Sequence, residues 1–258
     1  MKIVVAYKWA SNPQDASVGA DGAVDWNRAK PGISEYDPVA AELARRLADA
    51  TGGEVIGLTA GPKRVDAPLA RKAALSRGLD RAVIVADDAL EGAGSTALAT
   101  VLAAAVRHIG DVDLVITGDS SVDVGGKMVP TVLAGELGWV AVAEVTSVTG
   151  TAGSLRVERA IVGGSQTLNI TGPAVLAAST DAAVARVPGM KDILSAGKKP
   201  VETLDLAALD LPAAGPAATV TGTARPDLKA RKGVIIKTSD PAAAAAELVA
   251  ALRGAGAI

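Results

Sequence analysis

The sequence has no cysteine and no phenylalanine, a single histidine, His108, and only 2% aromatic residues. Without cysteine there is no disulfide, no thiolate-held zinc, no iron–sulfur cluster held by the chain and no thiol nucleophile. One histidine supplies neither a histidine-rich metal site nor a histidine-centred triad, so acid–base chemistry would fall to carboxylates, lysine or tyrosine. There is no run of 18 apolar residues, so no membrane span is expected. A net charge of −2 gives no basic surplus, which sets aside nucleic acid and anionic membranes as partners.

What is present is ordinary for a folded chain: 49% hydrophobic and 21% charged over 258 residues, enough for one large domain or a domain with an appendage. The core must be built from alanine, valine, leucine and isoleucine. The opening MKIVVAYKWA puts a charge before an apolar run too short for a signal peptide; it reads as a first strand, and a cytoplasmic protein is expected.

Four short, nearly continuous apolar runs, 3–7, 54–59, 82–86 and 113–117, have the pattern of parallel strands covered on both faces. Helical patterns lie between them. Val39, Leu43 and Leu47 recur every four residues with charged residues opposite, and Asp37–Pro38 is placed to cap and start that helix. A second helix is expected around 69–75. A third carries Leu98, Val101, Leu102, Ala105, Val106 and Ile109 on one stripe. The alternation predicts an α/β fold with a Rossmann-like, doubly wound, mainly parallel sheet. After Trp139, strand-like segments 140–149, 155–161, 166–170 and 174–178 are joined by glycine-rich turns, predicting a small antiparallel addition with one strand returning to the main sheet. Residues 181–200 read as a polar loop with a short helical turn. Residues 201–232 read as an extended arm, and Asp240–Pro241 opens a last helix. The arm either packs on another chain or wraps its own domain.

Ligands of open α/β sheets sit at the carboxyl ends of the strands. The segments in question are 8–13, 60–62 and above all GDSSVDVGGKMVP at 118–130, which runs into a helix from about Pro130 to Leu137. A glycine- and serine-rich loop opening a helix aims backbone N–H groups at one spot and suits a phosphate. Lys127 would add charge and Asp123 would accept from a ribose hydroxyl; alternatively this is an ordinary strand-to-helix turn with a solvated lysine. Neither GxGxxG nor GxxxxGK[ST] is present. Tyr36 either stacks on a base or plugs the helix end. His108 reads as a surface residue near a helix C-terminus. Trp9, Trp26 and Trp139 read as packing residues, and Lys191, Lys198 and Lys199 as solvated loop residues or a docking patch.

Segments YKWASNPQD (7–15), ISEYDPVAAELA (33–44), RKAALSRGLDRAVIV (71–85), GDSSVD (118–123), VERAIVGG (157–164) and ASTDAAVARVPGMKDILSAGKKP (178–200) occur in one order along the chain. With them the chain resembles the β subunit of electron transfer flavoproteins, closest to the Fix-type and carnitine-metabolism branch. The resemblance implies a carrier subunit without turnover of its own, paired with an α subunit that holds the redox-active FAD. It implies AMP, or in bifurcating relatives a second FAD, bound in this chain. Acyl-CoA-type dehydrogenases would be the donors and a quinone reductase or similar the acceptor. By position, the nucleotide site would use Ala6, the turn Ser34, Glu35, Tyr36 and Asp37, then Ala60, and the loop Asp123, Val124, Gly125, Gly126, Lys127, Met128, Val129, Pro130 and Thr131, reaching to about Ala134. Partner recognition would use Val184, Arg186, Val187, Met190, Lys191, Ile193 and Leu194. The implied division is a nucleotide-binding domain over 1–200, including the recognition loop 181–200, and over 201–258 an arm and helix packing on the α subunit. Here the loop departs from many relatives: Asp123 alone remains of an acidic run, so backbone N–H contacts to phosphate are kept and side-chain contacts are not. A stand-alone adenine-nucleotide-binding regulator is the alternative; it accounts for the 118–130 loop but not for the arm or the 181–200 loop.

Overall fold

The computed structural model describes residues 1–211, 221, 224, 226–227 and 230–258. The chain begins with β1 (Lys2–Ala6), followed by the short pieces β2 (Trp9–Ser11), β3 (Ser17–Val18), β4 (Val24–Asp25) and β5 (Pro31–Ile33). Then come α1 (Asp37–Thr51), β6 (Glu54–Gly61), α2 (Pro68–Leu75), β7 (Arg81–Ala86), α3 (Ser95–Ile109), β8 (Leu114–Gly118) and α4 (Val129–Leu137). The second half holds β9 (Val140–Thr151), β10 (Ser154–Ile161), β11 (Gly164–Ile170), β12 (Ala174–Ala178), α5 (Met190–Ala196), β13 (Val201–Leu204) and α6 (Pro241–Gly254).

Among the described residues nine strands form one sheet in the order β11-β10-β9-β12-β8-β1-β6-β7-β13. Every pairing from β9 to β13 is parallel, and β9–β10–β11 is antiparallel. This is the expected doubly wound sheet with an antiparallel addition. β12 is the returning strand, inserted between β9 and β8.

Strand alternation explains the two cores. Ile3 and Val5 point to the layer that holds Leu43, Leu47 and Leu75 of α1 and α2. Val4 and Ala6 point to the layer that holds Leu102 and Val106 of α3 and Leu133 of α4. With no phenylalanine to fill volume, small alanines (Ala40, Ala44, Ala48, Ala103, Ala105), all 0% exposed, let helix backbones lie close to the sheet. The chain leaves β1 toward β6 on one side and returns to β8 on the other, so the order reverses at β1, where a doubly wound sheet opens its crevice.

Three local readings need correction. Val201–Leu204, expected as the start of the arm, pairs in parallel with β7 and forms the sheet's edge, and Leu209 beyond it is buried. The sheet unit therefore runs past residue 200; half-buried Val201 and Leu204 enclose the exposed Glu202 and Thr203, a four-residue edge strand without the period-two alternation that would mark it in the sequence. Much of the rest of the expected arm, at 212–220, 222–223, 225 and 228–229, lies outside the described residues. Asp37 does not cap α1: it is the first helical residue, and no side chain caps that end. Trp26 is not a packing residue; it is 40% exposed on the loop after β4, whereas Trp9 and Trp139 pack against the two cores. α6 does begin as expected, with Asp240 accepting the Ala242 N–H at 3.0 Å, and all its side chains are at least partly exposed.

Candidate functional site

At the carboxyl ends of β1, β6 and β8 lies a cleft of about 380 Å³. Its walls come from Ala6, Tyr7 and Lys8 after β1, Ala60 of β6, and Thr117 to Ser121 at the end of β8. Val124 and the run Gly126 to Pro130 close one side, and Gly92 to Ser95 with Leu98 and Leu102 of α3 close the other.

Two helices bring their N-termini to this cleft. α4 starts behind Met128 and α3 behind Gly94, and no side chain caps either. The first N–H groups of a helix have no intrahelical acceptor and carry the positive end of the helix dipole, so an anion is favoured there. The two turns face each other closely: a Cβ on Gly126 would stand 3.7 Å from Ser95 Oγ. Leu98, Leu102, Val124 and Val129 supply an apolar wall suited to a flat ring.

Asp37 sits at the floor, 5% exposed. Its carboxylate accepts the backbone N–H of Lys8 at 2.7 Å and that of Gly118, tying the ends of β1 and β8 to the first turn of α1. Burial drives its pKa up, the two N–H donors and the Lys8 ammonium pull it back, and the carboxyl is left pushed up to about 7. Gly118 is required by this approach: a Cβ there would meet Asp37 Oδ1 and Tyr36 Cβ at 2.7 Å each. Tyr7 beside it is buried and its phenol is pushed above the usual range, mainly by that burial.

The cations of the cleft are already paired. Lys8 Nζ lies 2.7 Å from Asp123 Oδ2; burial pushes the Asp123 carboxyl up, but Lys8 and neighbouring donors together outweigh it and hold the carboxyl below its usual range. Lys127 Nζ lies 2.9 Å from Asp119 Oδ2 and 3.2 Å from Glu144 Oε1, and these two acids push its pKa up. Both Lys127 and Glu144 take positive φ, 50° and 56°. Glu144 sits where β9 changes register against β12, and its side chain reaches Lys127 from that bulge.

Of the residues expected from sequence, Ala6, Asp37, Ala60, Val124, Gly126, Lys127, Met128, Val129 and Pro130 line the cleft. Ser34, Glu35, Tyr36, Asp123, Gly125 and Thr131 do not. Ser34 supports the loop from behind, its Oγ accepting the Val122 N–H at 3.2 Å. Lys127 is not a free cation for phosphate, and Asp123 is held by Lys8 rather than by the cleft. Sequence reading passed over Gly92–Ser95 and Asp119. A signal for the first was present: Gly92-Ala93-Gly94-Ser95-Thr96-Ala97 is a G-x-G-x-x-A run opening a helix, the relaxed form of the dinucleotide fingerprint.

The expected recognition residues gather on one loop around α5. Val184, Val187, Met190 and Leu194 are exposed, Val187 at 90%, and Ile193 is half-buried. Arg186 anchors the loop to α1, its Nε 2.7 Å from Glu42 Oε2. Lys191 and Lys198 are exposed, whereas Lys199 donates to the carbonyls of Leu75 and Leu79 at 3.0 and 2.6 Å and so is a structural tie. His108 is a surface residue as expected, its Nε2 2.8 Å from Glu202 Oε1 of β13.

The fold and the cleft define a Rossmann-like α/β protein with its ligand crevice at the switch point of the sheet. Residues 22–209 match the electron transfer flavoprotein domain, and the chain belongs to that family of electron-transport flavoproteins. Ala6, Tyr7 and Lys8 of the cleft precede the matched span. Among the described residues no helix is long and apolar enough to cross a membrane.

Proposed function

We propose that this chain is the β subunit of a heterodimeric electron transfer flavoprotein of the Fix-type or carnitine-metabolism branch, a carrier without turnover of its own. It seats AMP, or a second FAD, in the switch-point cleft, and its partner α subunit holds the redox-active FAD. The observation that carries the reading is the meeting of two uncapped helix N-termini in one glycine-lined cleft. The N–H groups at Ser95 and Val129 would hold phosphate, and Leu98, Leu102 and Val124 would pack on a ring. Flavin, when bound, supplies the electron chemistry, and this chain's residues bind, orient and exclude water. The apolar loop around Met190 fits the docking of acyl-CoA-type dehydrogenases, with a quinone reductase or similar acceptor downstream, and the arm with α6 fits the embrace of the α subunit. A cytoplasmic site of action goes with this reading.

The test is co-expression with a flavin-binding partner chain. The reading requires a yellow 1:1 complex whose flavin is reduced by an acyl-CoA-type dehydrogenase. A colourless chain that stays monomeric, binds adenine nucleotide and takes up no partner would contradict it and favour a stand-alone regulator.

A further inference from the structure

Asp119 is 8% exposed and stands in the wall of the cleft, one residue beyond the end of β8. Its Oδ2 is taken by Lys127, while its Oδ1 is buried with no hydrogen-bond partner. A buried carboxylate oxygen without a donor is costly, and such a group persists where something else supplies the donor. Lys127, which covers it, has a second carboxylate in Glu144, so turning Asp119 toward the cleft does not strand the ammonium.

We propose that Asp119 is the specificity-determining acceptor of this cleft and takes a ribose hydroxyl of the bound nucleotide. The assignment rests on the nucleotide reading above. Position favours a sugar hydroxyl over a base amine. Lys127 lies two residues before the first residue of α4, so the Asp119 carboxylate is within one lysine side chain of the N-terminus where a phosphate would sit. In a nucleotide the group next to the phosphate is the sugar. A carboxylate taking a ribose hydroxyl of the bound nucleotide is an arrangement doubly wound folds use. Asp123, the acid that the sequence suggested for this role, has both oxygens within 2.8 Å of Lys8 Nζ and lies outside the cleft lining.

The experiment is calorimetric titration of the nucleotide-free chain with AMP, 2′-deoxy-AMP and 3′-deoxy-AMP, for wild type, Asp119→Ala and Asp119→Asn. A hydrogen bond to a charged group predicts that wild type binds AMP about 10- to 100-fold more tightly than the weaker-binding deoxy analogue. In Asp119→Ala that ratio falls to near one, while the circular dichroism spectrum stays that of wild type. If Asp119→Ala fails to fold, Asp119→Asn, which keeps the shape but removes the charge, should still lower the ratio, and a ratio it leaves unchanged overturns the assignment. Equal affinity of wild type for all three ligands, or a ratio that survives Asp119→Ala, overturns the assignment and leaves the nucleotide reading standing. Failure to bind both AMP and, in a parallel titration, FAD overturns both.

Discussion

Asp37 accepts the backbone N–H of Lys8 at 2.7 Å, so the residue expected to cap α1 instead ties α1 to the end of β1. The tie is made in the dry floor of the cleft, where the folded chain holds the proton until about pH 7 against an ordinary value of 3.8. A folded pKa above the unfolded one means the folded state binds more protons across that window. The contribution of Asp37 to stability is therefore full below about 3.8 and is lost as pH rises toward 7. Urea melts of wild type and Asp37→Asn should show the wild-type advantage shrinking between pH 5 and pH 7, by up to about 1.4 kcal/mol per pH unit. An advantage that grows with pH would mean the carboxylate is ionised in the fold.

Gly118→Ala tests the close approach of β8 to the start of α1. The added Cβ would overlap Asp37 Oδ1, whose carboxyl is buried and held by backbone N–H groups, and the Cβ and backbone of Tyr36, which cannot swing aside. Denaturant melts should show a loss of about 1–3 kcal/mol, with nucleotide affinity falling alongside because both strand ends line the cleft. Gly135→Ala on α4, where a Cβ meets nothing within 4 Å, should be neutral or stabilising.

Glu42 is the buried partner that holds the 181–200 loop. Hydrogen bonding by Arg186, then by Arg46, keeps its carboxyl below the usual range against its burial. Its contribution is therefore present at neutral pH and is lost as pH falls below 4.5. Arg186→Ala should cost about 1–3 kcal/mol and raise hydrogen exchange over 184–194 before anywhere in β1, β6 or β8. Unchanged exchange in that loop would show that Arg186 does not anchor it.

Met190 and Leu194 stand in solvent on α5 at 72% and 66% exposure. Leu194→Asp should shift stability by no more than about 0.5 kcal/mol. If the loop docks dehydrogenases, the same change should slow flavin reduction by the donor at least tenfold. A wild-type rate would move the docking face elsewhere.

The sheet was legible because its strands are unusually plain: IVV, EVIGL, AVIVA and LVIT carry no polar interruption, and strands buried on both faces need none. The 118–130 loop was legible from its glycines and serines and from Pro130 beside a helix start. The opposite wall was not, since Gly92–Ser95 follows β7 only after a further 3₁₀ turn at Asp88–Leu90 and its fingerprint ends in alanine. Asp37 and Asp119 show the limit most clearly. An Asp before a proline reads as a cap because capping is local, but its acceptor role was decided by Lys8 and Gly118, which lie far along the chain. Asp119 looked like one more residue of a polar loop, and only the pairing of Lys127 shows that one of its oxygens is left over.

In the proposed carrier the switch-point cleft holds an adenine nucleotide. The most direct measurement is to purify the chain with its flavin-bearing partner, denature the complex and weigh and count the small molecules released. The expected release is one adenine nucleotide per copy of this chain, AMP or a second FAD, in addition to the partner's flavin. Release of the partner's flavin alone, from a complex that carries electrons, would contradict it.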